Sequence, residues 1–453
     1  MSCAEQAKTN VGMISLGCAK NTVDTEVMLG LLDRDRYAIV PEAGAADVIV
    51  INTCGFLKAA EEEAINTILE MAPLHKKLVV AGCMVQRHQE ELARLLPEVD
   101  AWVGTSEFAQ ISEVVRQVAE QPRANGPVMA VSPDATPRDP AGDIYPVDFP
   151  RYRVSGGPVA YVKIAEGCDH PCTYCIIPQL RGRFKSRPIA AVERELRQLV
   201  ATGIREVVLI AQDSTSYGFD LPGRPGLHEL LGTLAAVPGD FVLRLMYAYP
   251  GLVTDELLRL MAAEPKIARY LDMPLQHSHT EILQAMRRPH NEAMVEGLLD
   301  RIRAHMPDVA LRTTFIVGFP GETEAHFAHL EAFVRRQRFE HVGVFCYSRE
   351  DGTPAGAEKR QVRAALKTAR RRRLMAVQQE VVREQAPRWQ GRTLRLLVET
   401  AGARPDEWLG RTYRDAPDVD GVTYAYGAAR PGEFVDVTIR EARLYDLIGD
   451  IGA

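Results

Sequence analysis

The chain has 453 residues and a net charge of −6, with a quarter of its residues charged and nearly half hydrophobic. That length exceeds one hydrophobic core and predicts two or three globular domains, while the charge gives no ground for general nucleic-acid affinity and favours basic partners. No apolar run is long enough to span a membrane, and residues 1–10 lack a basic-then-apolar leader, so the expected location is the cytoplasm.

In chain order, Val11–Leu16, Val48–Ile51 and Leu78–Ala81 are short β-branched runs that predict buried parallel strands. Helical patterns, such as Ala59–Met71 and Gln86–Leu96, lie between or after them, so residues 10–120 read as a parallel α/β sheet domain. From 121 to 153 the chain turns to Pro, Gly and Asp without periodicity, and a linker is expected. A second βα series occupies 154–357. Its strands are expected at Tyr161–Ala165, Val207–Ala211, Val242–Tyr247, Tyr270–Met273, Thr313–Val317 and Val342–Tyr347. Helices are expected at Ala190–Ala201, Thr254–Ala263, Glu281–His305 and Thr323–Arg338. Six units suit a partial (β/α)6 barrel better than a full eightfold one. Residues 358–387 read as a basic helical connector with Arg370 to Arg373 in a row. The run reads as a solvated face, and an RNA contact is the other reading. From 388 to 453, β-rich runs (Thr393–Val398, Val422–Tyr426, Phe434–Ile439) alternate with turn pairs such as Asp420-Gly421. They predict a small antiparallel barrel.

Eight cysteines in a reducing compartment read as buried thiols, metal ligands or redox groups rather than structural disulfides. Cys168, Cys172 and Cys175 follow the first expected barrel strand, and the carboxyl ends of barrel strands are where such folds place chemistry. Three close thiolates suit an iron–sulfur cluster. A tetrahedral zinc would want a fourth ligand, and His170, lying between the first two cysteines, is awkwardly placed to wrap the same ion. Three ligands to a [4Fe-4S] cubane leave one iron open.

Cys18, Cys54 and Cys83 are distant in sequence, yet each follows an expected strand by one to three residues. In a parallel sheet those ends share one edge, so the three thiols either meet at a second metal site or are separate buried small hydrophobes. Gly17, Gly55 and Gly82 beside them would let the backbone turn sharply around a bulky group. Cys3 reads as part of a loose terminus and Cys346 as barrel core. At other strand ends, Gln212, Asp213, Gln276, Arg312 and Tyr347 are candidates for holding cofactor or substrate, or are ordinary polar loop residues. Tyr174, beside a cysteine, is a candidate for packing near an adenine.

The spacing C-x3-C-x2-C, with Tyr174 before the last cysteine, resembles the radical S-adenosylmethionine signature. Together with Ser15-Leu16-Gly17-Cys18-Ala19-Lys20-Asn21, Asn52-Thr53-Cys54-Gly55-Phe56 and Ile316-Val317-Gly318-Phe319-Pro320-Gly321-Glu322-Thr323, nearly the whole chain resembles the methylthiotransferase family of radical S-adenosylmethionine enzymes. Ala19, where the family often has proline, removes no ligating atom. The resemblance implies a radical barrel holding S-adenosylmethionine on the open iron, a second [4Fe-4S] cluster on Cys18, Cys54 and Cys83 that carries the sulfur, and a terminal TRAM domain. It implies two S-adenosylmethionine molecules per turnover, one giving a methyl group to the sulfur and one a radical that takes hydrogen from the substrate carbon. An electron donor and a sulfur source are implied partners, and the two cluster-bearing domains must let sulfur and substrate carbon meet.

Leu271-Asp272-Met273-Pro274-Leu275-Gln276-His277 and Asp415-Ala416-Pro417-Asp418-Val419-Asp420-Gly421 are similar to the branch that modifies an aspartate β-carbon of ribosomal protein S12. The tRNA-adenosine branch is the alternative, and a non-catalytic iron–sulfur redox or sensor protein is an alternative of another class. From Arg388 onward there are nine arginines against eleven acidic residues. Asp415, Asp418 and Asp420 would then repel phosphate and attract a basic ribosomal protein.

Overall fold

The computed structural model describes residues 8–121, 126–135, 144, 145, 149, 151–154 and 156–452. Cys3 therefore lies outside the described residues. The chain divides into two compact units, Met1–Val154 with Ala165–His170 and Cys175–Pro188, and Ser155–Ile164 with Pro171–Tyr174 and Ile189–Ala453.

The first unit is built on a six-stranded parallel sheet: β1 (Thr9–Ser15), β2 (Tyr37–Val40), β3 (Val48–Thr53), β4 (Lys77–Gly82), β5 (Ala101–Val103) and β6 (Val128–Ala130), in the order β2-β1-β3-β4-β5-β6. Central β3 is buried along its whole length, as a continuous Val-Ile-Val-Ile run requires when helices cover both faces. β6 corrects the expectation of a linker over 121–153. Val128–Ala130 extends the sheet by pairing with β5, and three residues are too few to show a periodicity against the Pro and Gly around them. The helix expected at Gln86–Leu96 starts earlier, on Cys83 itself, and bends at Gln89, whose φ is 30°.

The chain next enters β7 (Val159–Lys163) of the second unit. It returns to the first for a short hairpin of β8 (Ala165–Glu166) and β9 (Lys185–Ser186), and from Ile189 stays in the second. There β10 (Glu206–Ile210), β11 (Val242–Leu245), β12 (Tyr270–Asp272), β13 (Ala310–Val317) and β14 (His341–Cys346) join β7 as six parallel barrel strands. They form the triplets β11-β10-β7 and β12-β13-β14, linked by a bridge between Leu243 and Ile267 just before β12. The helix expected over Glu281–His305 is two helices, Thr280–Ala285 and Glu292–His305. Pro289 stops the first, and the Asn291 side chain caps the second by accepting from Met294 N.

Residues 393–451 form a closed barrel of β15 (Thr393–Ala401), β16 (Glu407–Arg411), β17 (Thr423–Tyr426), β18 (Phe434–Arg443) and β19 (Asp446–Ile451). It is antiparallel except where β17 and β19 run parallel. This barrel belongs to the same compact unit as the six-stranded one, and buried charge explains why. Glu206, at the start of β10, binds Arg411 at 2.5 Å and Arg244 at 2.6 Å. Arg244 also donates to the carbonyls of Thr412 and Tyr413.

The acidic cluster thereby receives a correction. Asp418 accepts from Tyr161 Oη at 2.7 Å, and Asp420 accepts from Tyr270 Oη at 2.7 Å and pairs with Arg312. Asp415 lies fully buried 3.5 Å from His341. Asp415 and Asp420 therefore spend their charge at the amino-terminal end of the six-stranded barrel, whereas Asp418, bonded to Tyr161, stays exposed. The arginine run is also corrected. Arg370 is buried on Glu322 at 2.8 Å, and Arg373, though exposed, pairs with Glu324 and Glu331, while Arg371 and Arg372 face solvent. Among the described residues no helix is long and apolar enough to cross a membrane.

Candidate functional site: two groups of three cysteines

Strand register brings Cys18, Cys54 and Cys83 to one place. Ser15 pairs with Asn52, and Thr53 with Gly82, so neighbouring β1, β3 and β4 end level and each releases its cysteine at the same sheet edge. The turns are packed too tightly for side chains. Gly17 (φ 96°) would place a Cβ 2.7 Å from Cys54 Cβ, and Gly82 (φ 103°) one 2.5 Å from Asn52 Oδ1.

Buried amides fix the loops. Asn21 Nδ2 donates to the carbonyls of Leu16 and Thr53, both at 2.9 Å, Asn52 Nδ2 donates to Asn21 O, and Thr53 Oγ1 donates to Ala81 O. Cys18 is the N-cap of helix Ala19–Leu31 and Cys83 the first residue of the helix that follows β4. Two of the three sulfurs thus sit at helix amino termini, which favour negative charge.

Exposure is graded across the group: Cys18 is exposed, Cys54 half-buried and Cys83 buried. Burial pushes the Cys83 thiol up to about 12, opposed by the Arg181 guanidinium, and burial raises Cys54 as well. As bare thiols Cys54 and Cys83 stay protonated at neutral pH; ligation to cationic iron is what would make them thiolates. The donor set, the tight turns and the helix ends all fit an iron–sulfur cluster.

Arg181 escaped the sequence reading. It is 3% exposed, and its Nε donates to Cys83 Sγ at 3.0 Å. Nη1 reaches Asp24 at 2.7 Å and Glu166 at 3.4 Å, and Nη2 reaches Asn21 Oδ1 at 2.8 Å. Arg181 and Cys83 are 98 positions apart, and no local spacing announces such a pair.

Cys168, Cys172 and Cys175 are each half-buried in the loop after β8. Cys168 N donates to Gly182 O at 3.2 Å, and Cys175 Sγ accepts from Ile177 N at 3.5 Å. In the second unit, Thr173 N donates to Met286 O and Thr173 Oγ1 to Ala285 O, while Thr173 O accepts from Ala355 N. Arg288 sits 3.9 Å from Cys172 Sγ, held by Pro274 O at 2.6 Å and by stacking 4.2 Å over Tyr249. Tyr174 packs in an apolar cluster with Ile282, Met286, Phe319 and Tyr347, a setting suited to a flat aromatic ligand.

The other candidates divide. Gln276 takes a left-handed φ of 71° in a bridge to Phe315 just past β12, and Gln212 is half-buried in the loop after β10. Asp213 accepts from the backbone and hydroxyls of Thr215 and Ser216 and so shapes its own loop. Arg312 corrects its expectation as a cofactor or substrate residue. It binds Asp272 at 2.9 Å and Asp420 at 3.3 Å near the amino-terminal end of β13, because side chains early in a barrel strand point away from the catalytic mouth. Cys346, expected in the core, is half-buried at the end of β14. A histidine group around Glu281 is satisfied internally: His326 meets Glu281 at 3.2 Å, His329 meets Glu292 at 3.0 Å, and His279 caps a helix.

Three family models match: the Uncharacterized protein family UPF0004 over residues 10–104, the Radical SAM superfamily over 162–334 and the TRAM domain over 391–451. The ribosomal protein uS12 methylthiotransferase RimO of Anaeromyxobacter sp. (strain Fw109-5) is 47% identical, covering 99% of this chain and 94% of the relative. That of Geobacter sulfurreducens (strain ATCC 51573 / DSM 12127 / PCA) is 45% identical over 98% of this chain and 99% of its own. The chain belongs to the RimO methylthiotransferase family. Among solved structures, the radical S-adenosylmethionine methyltransferase TsrM from Kitasatospora setae, with cobalamin and a [4Fe-4S] cluster bound, aligns with a TM-score of 0.58 at 16% identity, covering 77% of this chain and 74% of that one. That likeness is one of fold.

Proposed function

We infer that this chain methylthiolates the β-carbon of an aspartate in ribosomal protein S12, using one S-adenosylmethionine as methyl donor and a second as radical source. The observation that carries the sulfur-inserting chemistry is the convergence of Cys18, Cys54 and Cys83 at the level ends of three neighbouring strands. RimO relatives 45–47% identical over nearly their full length direct that chemistry to S12.

In this assignment Cys168, Cys172 and Cys175 hold the cluster that binds S-adenosylmethionine, and Cys18, Cys54 and Cys83 hold the auxiliary one. When bound, the two groups supply the electron that splits S-adenosylmethionine and the sulfur that is transferred. The chain's own residues do the rest. Tyr174, within its cluster of Ile282, Phe319 and Tyr347, offers the adenine a flat apolar wall. Arg288 holds a positive charge at Cys172. Gln212 and Gln276, on loops at the carboxyl ends of barrel strands, orient cofactor or substrate, and Asp213 shapes the loop that carries Gln212.

An electron donor and a sulfur source are required co-reactants, and action in the cytoplasm keeps the thiols reduced.

The test is anaerobic reconstitution with iron and sulfide, followed by mass spectrometry of S12 and unmodified tRNA offered separately with S-adenosylmethionine and a reductant. A methylthio group on the S12 aspartate is expected. Modification of tRNA alone would overturn the substrate assignment, and failure to form 5′-deoxyadenosine would overturn the enzyme.

A further inference from the structure

The guanidinium of Arg181 is almost fully enclosed and is fixed from several sides. Asp24 holds Nη1 at 2.7 Å and Asn21 holds Nη2 at 2.8 Å, which leaves Nε aimed at Cys83 Sγ at 3.0 Å. The backbone that carries it is pinned as well. Arg181 ends the short helix Ile177–Arg181; Leu180 O accepts from Thr105 Oγ1 at 2.8 Å, and Ile176 and Leu180 pack directly on Cys83. Gly182 (φ 72°) then turns the chain so that its carbonyl accepts from Cys168 N. A simple ion pair with Asp24 would need only the two terminal nitrogens. The third donor, held on a sulfur by a planar fork that lysine cannot reproduce, calls for a separate explanation.

We propose that Arg181 is a positioning residue of the amino-terminal sulfur centre, holding Cys83 with a charged hydrogen bond that raises the reduction potential of the cluster bound there. This rests on the reading that Cys18, Cys54 and Cys83 hold a cluster. Hydrogen bonds to ligating sulfur are one of the protein's levers on such potentials. Reduction adds negative charge to the cluster and its sulfurs, so a cationic donor stabilises the reduced form more than the oxidised one. Arg181 also lies six positions after Cys175, so one short segment carries a ligand assigned to the radical-generating cluster and the charge that tunes the other.

The test uses the full chain with Cys168, Cys172 and Cys175 all changed to alanine, so that only the amino-terminal centre loads. Iron content, electron paramagnetic resonance and midpoint potential are measured with Arg181 intact, with Arg181→Gln and with Arg181→Lys. Loading is expected to hold at about four irons per chain, while the reduction equilibrium of Arg181→Gln shifts about tenfold toward the oxidised form, about 59 mV for one electron. Arg181→Lys keeps a charge for Asp24 but not the N–H on sulfur, and is expected to recover less than half of that shift. If Arg181→Gln does not hold iron, Arg181→Lys carries the measurement. A loaded parent with unchanged potential and spectrum in the variants overturns the role of Arg181 alone. A parent that binds no iron overturns the reading of the cysteines themselves.

Discussion

The two groups of three cysteines are built by opposite means. In the central loop, chain connectivity alone keeps Cys168, Cys172 and Cys175 close, and all three are half-buried. At the sheet edge, Cys18, Cys54 and Cys83 are gathered by the register of β1, β3 and β4, and they range from exposed to buried. An arginine lies by a sulfur of each group: Arg288 at 3.9 Å from Cys172 and Arg181 at 3.0 Å from Cys83. A loop can hold a cofactor with local chemistry, whereas a centre made from a sheet edge depends on the packing of a whole domain.

The largest effects should come from breaking the groups one at a time. Cys172→Ala is expected to abolish 5′-deoxyadenosine formation, while Cys83→Ala should leave it and abolish methylthio transfer. Each variant should retain about four of about eight irons, a contrast read by iron analysis and product chromatography. Loss of 5′-deoxyadenosine in both variants would break the comparison.

Next comes the buried charge that joins the terminal barrel to the six-stranded one, far in sequence from every cysteine. Arg411→Ala leaves Glu206 short of a partner and is expected to cost about 3–5 kcal/mol, measured by chemical denaturation. Burial alone would push the Glu206 carboxyl up, but the Arg411 and Arg244 guanidiniums hold it down at about 2. Its folded value lies below the unfolded one of about 4.3. Its stabilisation is therefore complete above pH of about 4.3 and is lost as pH falls toward 2. Denaturation of the unmutated protein across that window should show the loss, and Arg411→Ala should flatten it.

The smallest effect is expected from Arg371→Ala combined with Arg372→Ala. Less than about threefold change in S12 modification at physiological salt should result, because two solvent-facing charges make at most two phosphate contacts. A larger loss with a steep salt dependence would restore a role for RNA.

The legible parts of this molecule were the ones with a local signature. The central cysteine spacing, the β-branched runs of β1, β3 and β4, and the turn pairs of the terminal barrel all announce themselves within a few residues. β5 and β6 were missed because three-residue strands carry no period. The break at Pro289 was absorbed into one long helical pattern. Asp415 and Arg370 misled for one reason: a charge has the same letter whether it faces water or a buried partner.

The sequence by itself determined the order of elements, the central cysteine motif and the six thiols available for metal, because these depend on neighbours along the chain. Only the tertiary structure decided that Cys18, Cys54 and Cys83 meet, that Arg181 lies on one of them, and that Asp415 and Asp420 of the terminal loop pack against the six-stranded barrel. Those facts depend on strand register and on burial, which bring together residues as far as 257 positions apart and set what each charge must pair with.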